Sequence, residues 1–214
     1  RVNGRNKLMY FAQLWSAAAL MQWLRGIIPL GEIWTEIFAE LVSWMNAIAS
    51  TAVEKVAFYK LTTKFAEELK ANNTFAYVQV TGHSLGGGLS LITGAQAKIP
   101  AVGVSAPNAR ISGKSYDPPI DWHDINKYAF NIIPKHDIVP KLDDVADNWQ
   151  QIGCNAELSK AAGFCHFGMR SICELMYTCG SGNRPVFCEC VSAYGYPPPL
   201  SVNGTNFYES CEKE

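Results

Sequence analysis

The sequence predicts an α/β fold, and three observations point to it. The run Phe75-Ala-Tyr-Val-Gln-Val80 is short, apolar and rich in β-formers, which reads as a buried strand. A turn of small residues, Gly82-His-Ser-Leu-Gly86, follows it, and Leu85 to Lys98 reads as a helix. Two further strands are expected at Ala101-Val-Gly-Val-Ser105 and at Ile125-Asn-Lys-Tyr-Ala-Phe-Asn-Ile-Ile133. Ahead of the first strand, Glu54 to Lys70 has Phe58, Leu61, Phe65 and Leu69 at helical spacing, which predicts an amphipathic helix covering the sheet on that face.

The turn carries a Gly-x-Ser-x-Gly core within Thr81-Gly-His-Ser-Leu-Gly-Gly-Gly-Leu-Ser90, and Ser84 is the leading candidate for a nucleophile. A serine between such a strand and such a helix sits on a strained turn that lifts its hydroxyl clear of the sheet. The N–H of Leu85 falls at the helix start, where unpaired donors and the helix dipole favour a developing oxyanion. Gly86, Gly87 and Gly88 are expected to let the helix pack close to the strand.

A serine hydroxyl needs a histidine to take its proton, and that histidine needs a carboxylate to orient it. Four histidines are available. His83 lies in the elbow, His123 in the charged loop Asp121-Trp-His-Asp124, and His136 directly before an aspartate. Neither His123 nor His136 has a suitable carboxylate upstream at a strand end. His166, in Phe164-Cys-His-Phe-Gly168, remains. For the acid, Asp137 follows the strand ending at Ile133, where open α/β sheets place functional groups. Asp143, Asp144 and Asp147 compete with it, and a solvated acidic loop is the plainer reading of Asp144 and Asp147.

Thr81-Gly-His-Ser-Leu-Gly-Gly-Gly88, then Asp137-Ile-Val-Pro140, then His166 together resemble the fungal-type triacylglycerol lipases known as class 3 lipases. The stretch from Cys165 to Gly180 resembles a cysteine-rich extension of a eukaryotic subset that includes vacuolar autophagy-linked lipases. The resemblance covers about residues 54 to 190. It implies an α/β-hydrolase fold, a lipid acyl-ester substrate, and no metal or organic cofactor. It also implies Ser84 as nucleophile, Asp137 as orienting acid and His166 as base, with Leu85 supplying one half of the oxyanion hole.

Members of that family begin with several strands, one of which leads into an Arg-Gly-Thr/Ser-like segment that holds the second oxyanion donor. This chain opens at Arg1-Val-Asn-Gly-Arg-Asn6 and passes straight into helical sequence. The expectation is a fragment, or a chain paired with a separate N-terminal chain that supplies the strands.

The length of 214 residues suits one domain with a sizeable core, and no Pro/Gly/Ser-rich linker divides it. A net charge of −1 without a basic stripe argues against nucleic acid as a partner. All seven cysteines lie at or after Cys154, at 154, 165, 173, 179, 188, 190 and 211, which predicts a disulfide-stapled region over 154–214 in an oxidising compartment. Zinc spacing is poor, since Cys188-Glu-Cys190 leaves one residue between ligands. The odd count predicts one free thiol or a bridge to a missing segment. The sequons Asn72-Asn-Thr74 and Asn203-Gly-Thr205 agree with a secretory route, toward secretion or a vacuolar or lysosomal lumen.

Between Leu8 and Val53 only Arg25, Glu32, Glu36 and Glu40 are charged, and Trp15, Trp23, Trp34 and Trp44 cluster there. Leu8 to Leu24 is shorter than the roughly 20 residues that span a bilayer and carries Gln13, Ser16 and Gln22. Glu32, Glu36 and Glu40 recur at helical spacing opposite Ile33, Ile37, Leu41, Trp44 and Ile48. Residues 8–53 are therefore expected to form two lid or interfacial helices that dock on a lipid surface, against the alternative of two core helices. Two functions follow: a serine ester hydrolase acting on lipid esters, or a catalytically silent lipid-binding or assembly subunit that keeps the fold. Acyl transfer uses the same residues.

Overall fold

The computed structural model describes residues 57–72, 74–154, 164–179 and 187–198. The segment 8–53, Cys211 and the sequon at Asn203 lie outside the described residues. The chain divides into two compact units, one of residues 1–133 with 138–150, the other of 134–137 with 151–214.

In the first unit the helix α1 (Phe58–Ala71) precedes β1 (Val80–His83), α2 (Leu85–Ala97) and β2 (Ala101–Val104). Next come α3 (Trp122–Tyr128), β3 (Ala129–Pro134) and β4 (Trp149–Ile152), the last two running on into the second unit. The sheet order is β1-β2-β3-β4. β1 pairs β2 in parallel from Val80↔Ala101 to His83↔Val104, and β2 pairs β3 in parallel from Ala101↔Ala129 to Val104↔Ile132. Asn131 N–H donates to the Asn148 carbonyl at 3.1 Å and Lys135 N–H to the Ile152 carbonyl at 2.9 Å. Sheet and helices enclose a core of Leu91, Ile92, Ala95, Ala106, Ile120, Ile125 and Ala129, with Tyr59 of α1 meeting Tyr116 edge to face.

Three predicted elements are corrected. The strand expected at Phe75–Val80 begins only at Val80, whose N–H donates to the Pro100 carbonyl at 3.0 Å, and it runs through Gly82 and His83. Phe75 and Tyr77 are exposed. β-propensity reports fit to a pleated, half-buried surface, whereas the ladder starts where a partner strand is in register. The strand expected over Ile125–Ile133 is helix as far as Tyr128 and strand from Ala129. Asp121 Oδ1 accepts the His123 N–H at 2.7 Å and nucleates that helix as its N-cap.

The third correction concerns α1. Its buried residues are Tyr59, Thr63 and Ala66, while Leu61 and Phe65 are 69% and 61% exposed. Small and polar residues allow a close approach to α2: Thr62 Oγ1 lies 2.7 Å from Thr93 Oγ1, and Thr63 Oγ1 donates to Gln96 Oε1 at 2.8 Å. The sequence pattern marked the larger apolar side chains, but the helix turns its smaller ones toward its neighbour. The 116–121 loop is tied to the same layer, with Lys60 Nζ 2.6 Å from Asp117 and Gln96 Nε2 donating to the Pro118 carbonyl at 2.6 Å.

The second unit is built on α4 (Gly168–Cys179) and the short α5 (Cys188–Ser192), joined by the Cys173–Cys190 disulfide. Cys173, Cys190 and Tyr196 are its buried centre, with Met169, Val191 and Tyr194 around them. A second disulfide links Cys154 to Cys165, Cys188 is disulfide-bonded as well, and Cys179 is a free, exposed thiol. The predicted staple and the odd free thiol are both present. Among the described residues no helix is long and apolar enough to cross a membrane.

Candidate functional site

Ser84 is the hinge between β1 and α2. Its backbone sits at φ 58° and ψ −128°, a region that costs a non-glycine residue about 1–3 kcal/mol. Two bonds hold it there: Ser84 N–H donates to the Val104 carbonyl at 3.0 Å, and its own carbonyl accepts the Gly88 N–H at 3.0 Å. The flanking glycines have different reasons. A Cβ on Gly82 would overlap the Gly86 carbonyl, and one on Gly87 would come within 2.7 Å of the Ala106 Cβ, so Gly82 and Gly87 permit the close approach. Gly86, predicted to serve the same purpose, faces open space. Leu85 is the first residue of α2, so its N–H belongs to the first turn, which has no intrahelical acceptors.

Asp137 lies in the loop after β3, just past His136 at φ 69°. Its N–H donates to the Pro134 carbonyl at 3.1 Å, and its residue is 1% exposed. His166 ends a 3-10 turn, Phe164–His166. Its Nδ1 stands 3.1 and 3.2 Å from the two Asp137 carboxylate oxygens. A proton on Nδ1 donated to this carboxylate leaves Nε2 as the acceptor, the tautomer a general base requires.

The turn carrying His166 is clamped on two sides. Cys165, directly before it, is bridged to Cys154, two residues beyond Ile152, whose carbonyl holds Lys135 of the Asp137 loop. Buried Arg170 stacks its guanidinium 3.4 Å above the Phe164 ring and 4.5 Å from that of Tyr194, while the Arg170 backbone N–H donates to the Phe167 carbonyl at 3.0 Å. The sequence carried no signal for this stack, because a single arginine in a helix reads as a surface charge. Ser84 and Leu85 belong to the first unit, Asp137 and His166 to the second.

The competing groups are engaged elsewhere. Asp143 is fully buried and accepts from the Ile111 N–H at 2.7 Å, the Ser112 N–H at 3.0 Å and the Ser112 hydroxyl at 2.7 Å. Burial outweighs those bonds and pushes its carboxyl up to about 6. Asp144 is not a freely solvated group, since it pairs with Arg110 at 3.4 Å and is mostly covered; Asp147 is exposed and accepts from Asn126 at 2.6 Å. His123 meets Asp121 at 2.8 Å, but both are exposed and two residues apart. The backbone N–H of His123 is the main reason the Asp121 carboxyl is held below its ordinary range, with the imidazole bond adding to it.

A parallel sheet whose strand turns into a helix through a positive-φ serine is the architecture of the α/β-hydrolases. Residues 20–145, more than half of the chain, match the family model for lipase (class 3), and the chain belongs to that family of lipase-type ester hydrolases acting on lipid esters. No curated protein and no solved structure matches it.

Proposed function

We propose that this chain hydrolyses lipid acyl esters through an acyl-enzyme on Ser84, with His166 as base and Asp137 as the acid that orients it. The observation that carries the reading is the pair Asp137–His166, a buried carboxylate held 3.1 Å from Nδ1 of a partly exposed imidazole. His166 Nε2 takes the hydroxyl proton as Ser84 Oγ attacks the ester carbonyl, and Asp137 stabilises the imidazolium that forms. The tetrahedral oxyanion accepts the Leu85 N–H. Collapse breaks the ester C–O bond, His166 returns its proton to the departing alcohol, and water then repeats the sequence to release the fatty acid.

Finer features belong to the same reading. Residues 8–53 serve as the lid or interfacial element, and the whole of 1–214 acts as one catalytic domain. The region from Cys154 onward is the cysteine-rich extension of the vacuolar, autophagy-linked subset. The disulfides Cys154–Cys165 and Cys173–Cys190 support a secretory or lumenal location. The test is labelling of the folded chain by a fluorophosphonate probe. Labelling that disappears in Ser84→Ala is expected; a folded wild type that never labels would favour the silent lipid-binding subunit.

A further inference from the structure

The second unit has an open pocket of about 280 Å³ lined by Cys154, Glu174, Tyr177, Tyr196 and Pro197, none of them in the Asp137–His166 pair. Among the described residues its lining is two tyrosines, a proline and a disulfide-bonded cysteine, and the charged group is the Glu174 carboxylate. The Tyr177 and Tyr196 rings stand 5.8 Å apart and tilted by 58°. Tyr196 is buried, whereas Tyr177 leaves 52% of its surface in solvent at the cavity's edge.

Glu174 has two partners, both hydroxyl donors: Tyr196 Oη at 2.6 Å to Oε2 and Thr178 Oγ1 at 3.0 Å to Oε1. Neither cancels its charge, and among the described residues no Lys or Arg pairs with it. Among the described residues the pocket therefore holds a carboxylate without a cationic partner beside two tyrosine rings, whose quadrupoles also favour a cation. Its volume is below the usual range of about 300–1,000 Å³ for drug-sized ligands, which suits a small head better than a long chain.

We propose that Glu174, Tyr177 and Tyr196 form a binding site for the quaternary ammonium group of a choline-type lipid headgroup, separate from the ester-cleaving residues. Hydrogen bonding decides between kinds of ammonium. A primary ammonium brings three N–H donors that must be satisfied on leaving water, and with one donor already on each oxygen Glu174 has only about two acceptor positions left for them. A quaternary ammonium has no donors. It needs only a negative potential and apolar contact, which are what this cavity supplies. A choline head held here would fix a lipid surface against the second unit.

The experiment titrates tetramethylammonium, and separately methylammonium, into the full chain while the Tyr177 and Tyr196 ring resonances are followed. Saturable shifts with a midpoint in about the millimolar range are expected for tetramethylammonium. Methylammonium should bind at least about fivefold more weakly. Glu174→Gln keeps an acceptor for the Tyr196 hydroxyl and should weaken binding about tenfold, and Tyr177→Leu should do likewise. In a second arm, the Ser84→Ala chain is sedimented with phosphatidylcholine or phosphatidylglycerol vesicles. Greater retention on phosphatidylcholine, lost when Glu174→Gln is added, supports the assignment. Absent or non-saturable shifts, equal binding of the two ammonium ions, indifference to both substitutions, or equal retention on the two lipids would each overturn it. Cleavage of a short soluble ester should be unchanged in Glu174→Gln, which separates failure of this site from failure of the catalytic reading.

Discussion

His166 Nδ1 faces both carboxylate oxygens of Asp137 at 3.1 and 3.2 Å across a sequence separation of 29 residues, and the carboxylate side chain is wholly buried. The exposed Asp121–His123 contact is shorter, at 2.8 Å, yet water screens it and local sequence alone brings it about. Burial and long-range closure distinguish a pair maintained by the fold from one that caps a helix. Asp137→Asn should lower kcat on a soluble ester by about 10³–10⁴ with little change in KM, because the amide favours the wrong imidazole tautomer. Asp121→Asn should leave both parameters unchanged.

Strain at Ser84 gives a test independent of catalysis. Glycine accepts φ 58° without penalty and alanine does not. Both Ser84→Gly and Ser84→Ala should be inactive, and Ser84→Gly should be the more stable by about 1 kcal/mol, read as the shift in its denaturant midpoint.

The elbow glycines should differ sharply. Gly82→Ala drives a methyl into the Gly86 carbonyl and is expected to cost several kcal/mol or prevent folding, whereas Gly86→Ala meets no atom within 4 Å and should fold normally. Circular dichroism and thermal melting of the two variants provide the comparison.

Removing the Cys154–Cys165 bridge, which closes a separation of 11 residues, should cost about 2–3 kcal/mol. It also frees the residue beside His166. A Cys154→Ser/Cys165→Ser chain should therefore lose fluorophosphonate labelling at temperatures where its circular dichroism is still native.

Asp143 sets a pH dependence. Its folded carboxyl is raised to about 6 by burial, above the unfolded value near 3.9, so the folded chain binds the proton more tightly. Stability from this group is thus greatest below about pH 4 and falls as pH rises through 6, by about 3 kcal/mol in total. Denaturant midpoints between pH 4.5 and 7 should decline less in Asp143→Asn than in the wild type.

Ser84 was legible because strand, turn, serine and helix are consecutive in sequence, and α2 ends at Ala97 with Lys98 in the left-handed region, one residue from the expected end. Asp137 and His166 were legible as candidates from chain order, though Asp143 lay in the same acidic stretch and only its bonds from Ile111 and Ser112 set it apart. The face of α1 was not legible. Leu61 and Phe65 outrank Thr63 and Ala66 in hydrophobicity, and only the close approach of α2 reverses that order.

By itself the sequence determined the strand-to-helix elbow at Ser84, the α/β class and the oxidised C-terminal region, since each depends on residues adjacent in the chain or on composition. Tertiary structure decided where β1 begins, which helix face is buried, and that Asp137 rather than Asp143 meets His166. It also produced the Glu174, Tyr177 and Tyr196 cavity, two of whose members are three residues apart while the third comes from beyond α5. Such features depend on packing distance and burial between segments remote in sequence, and local pattern carries no measure of either.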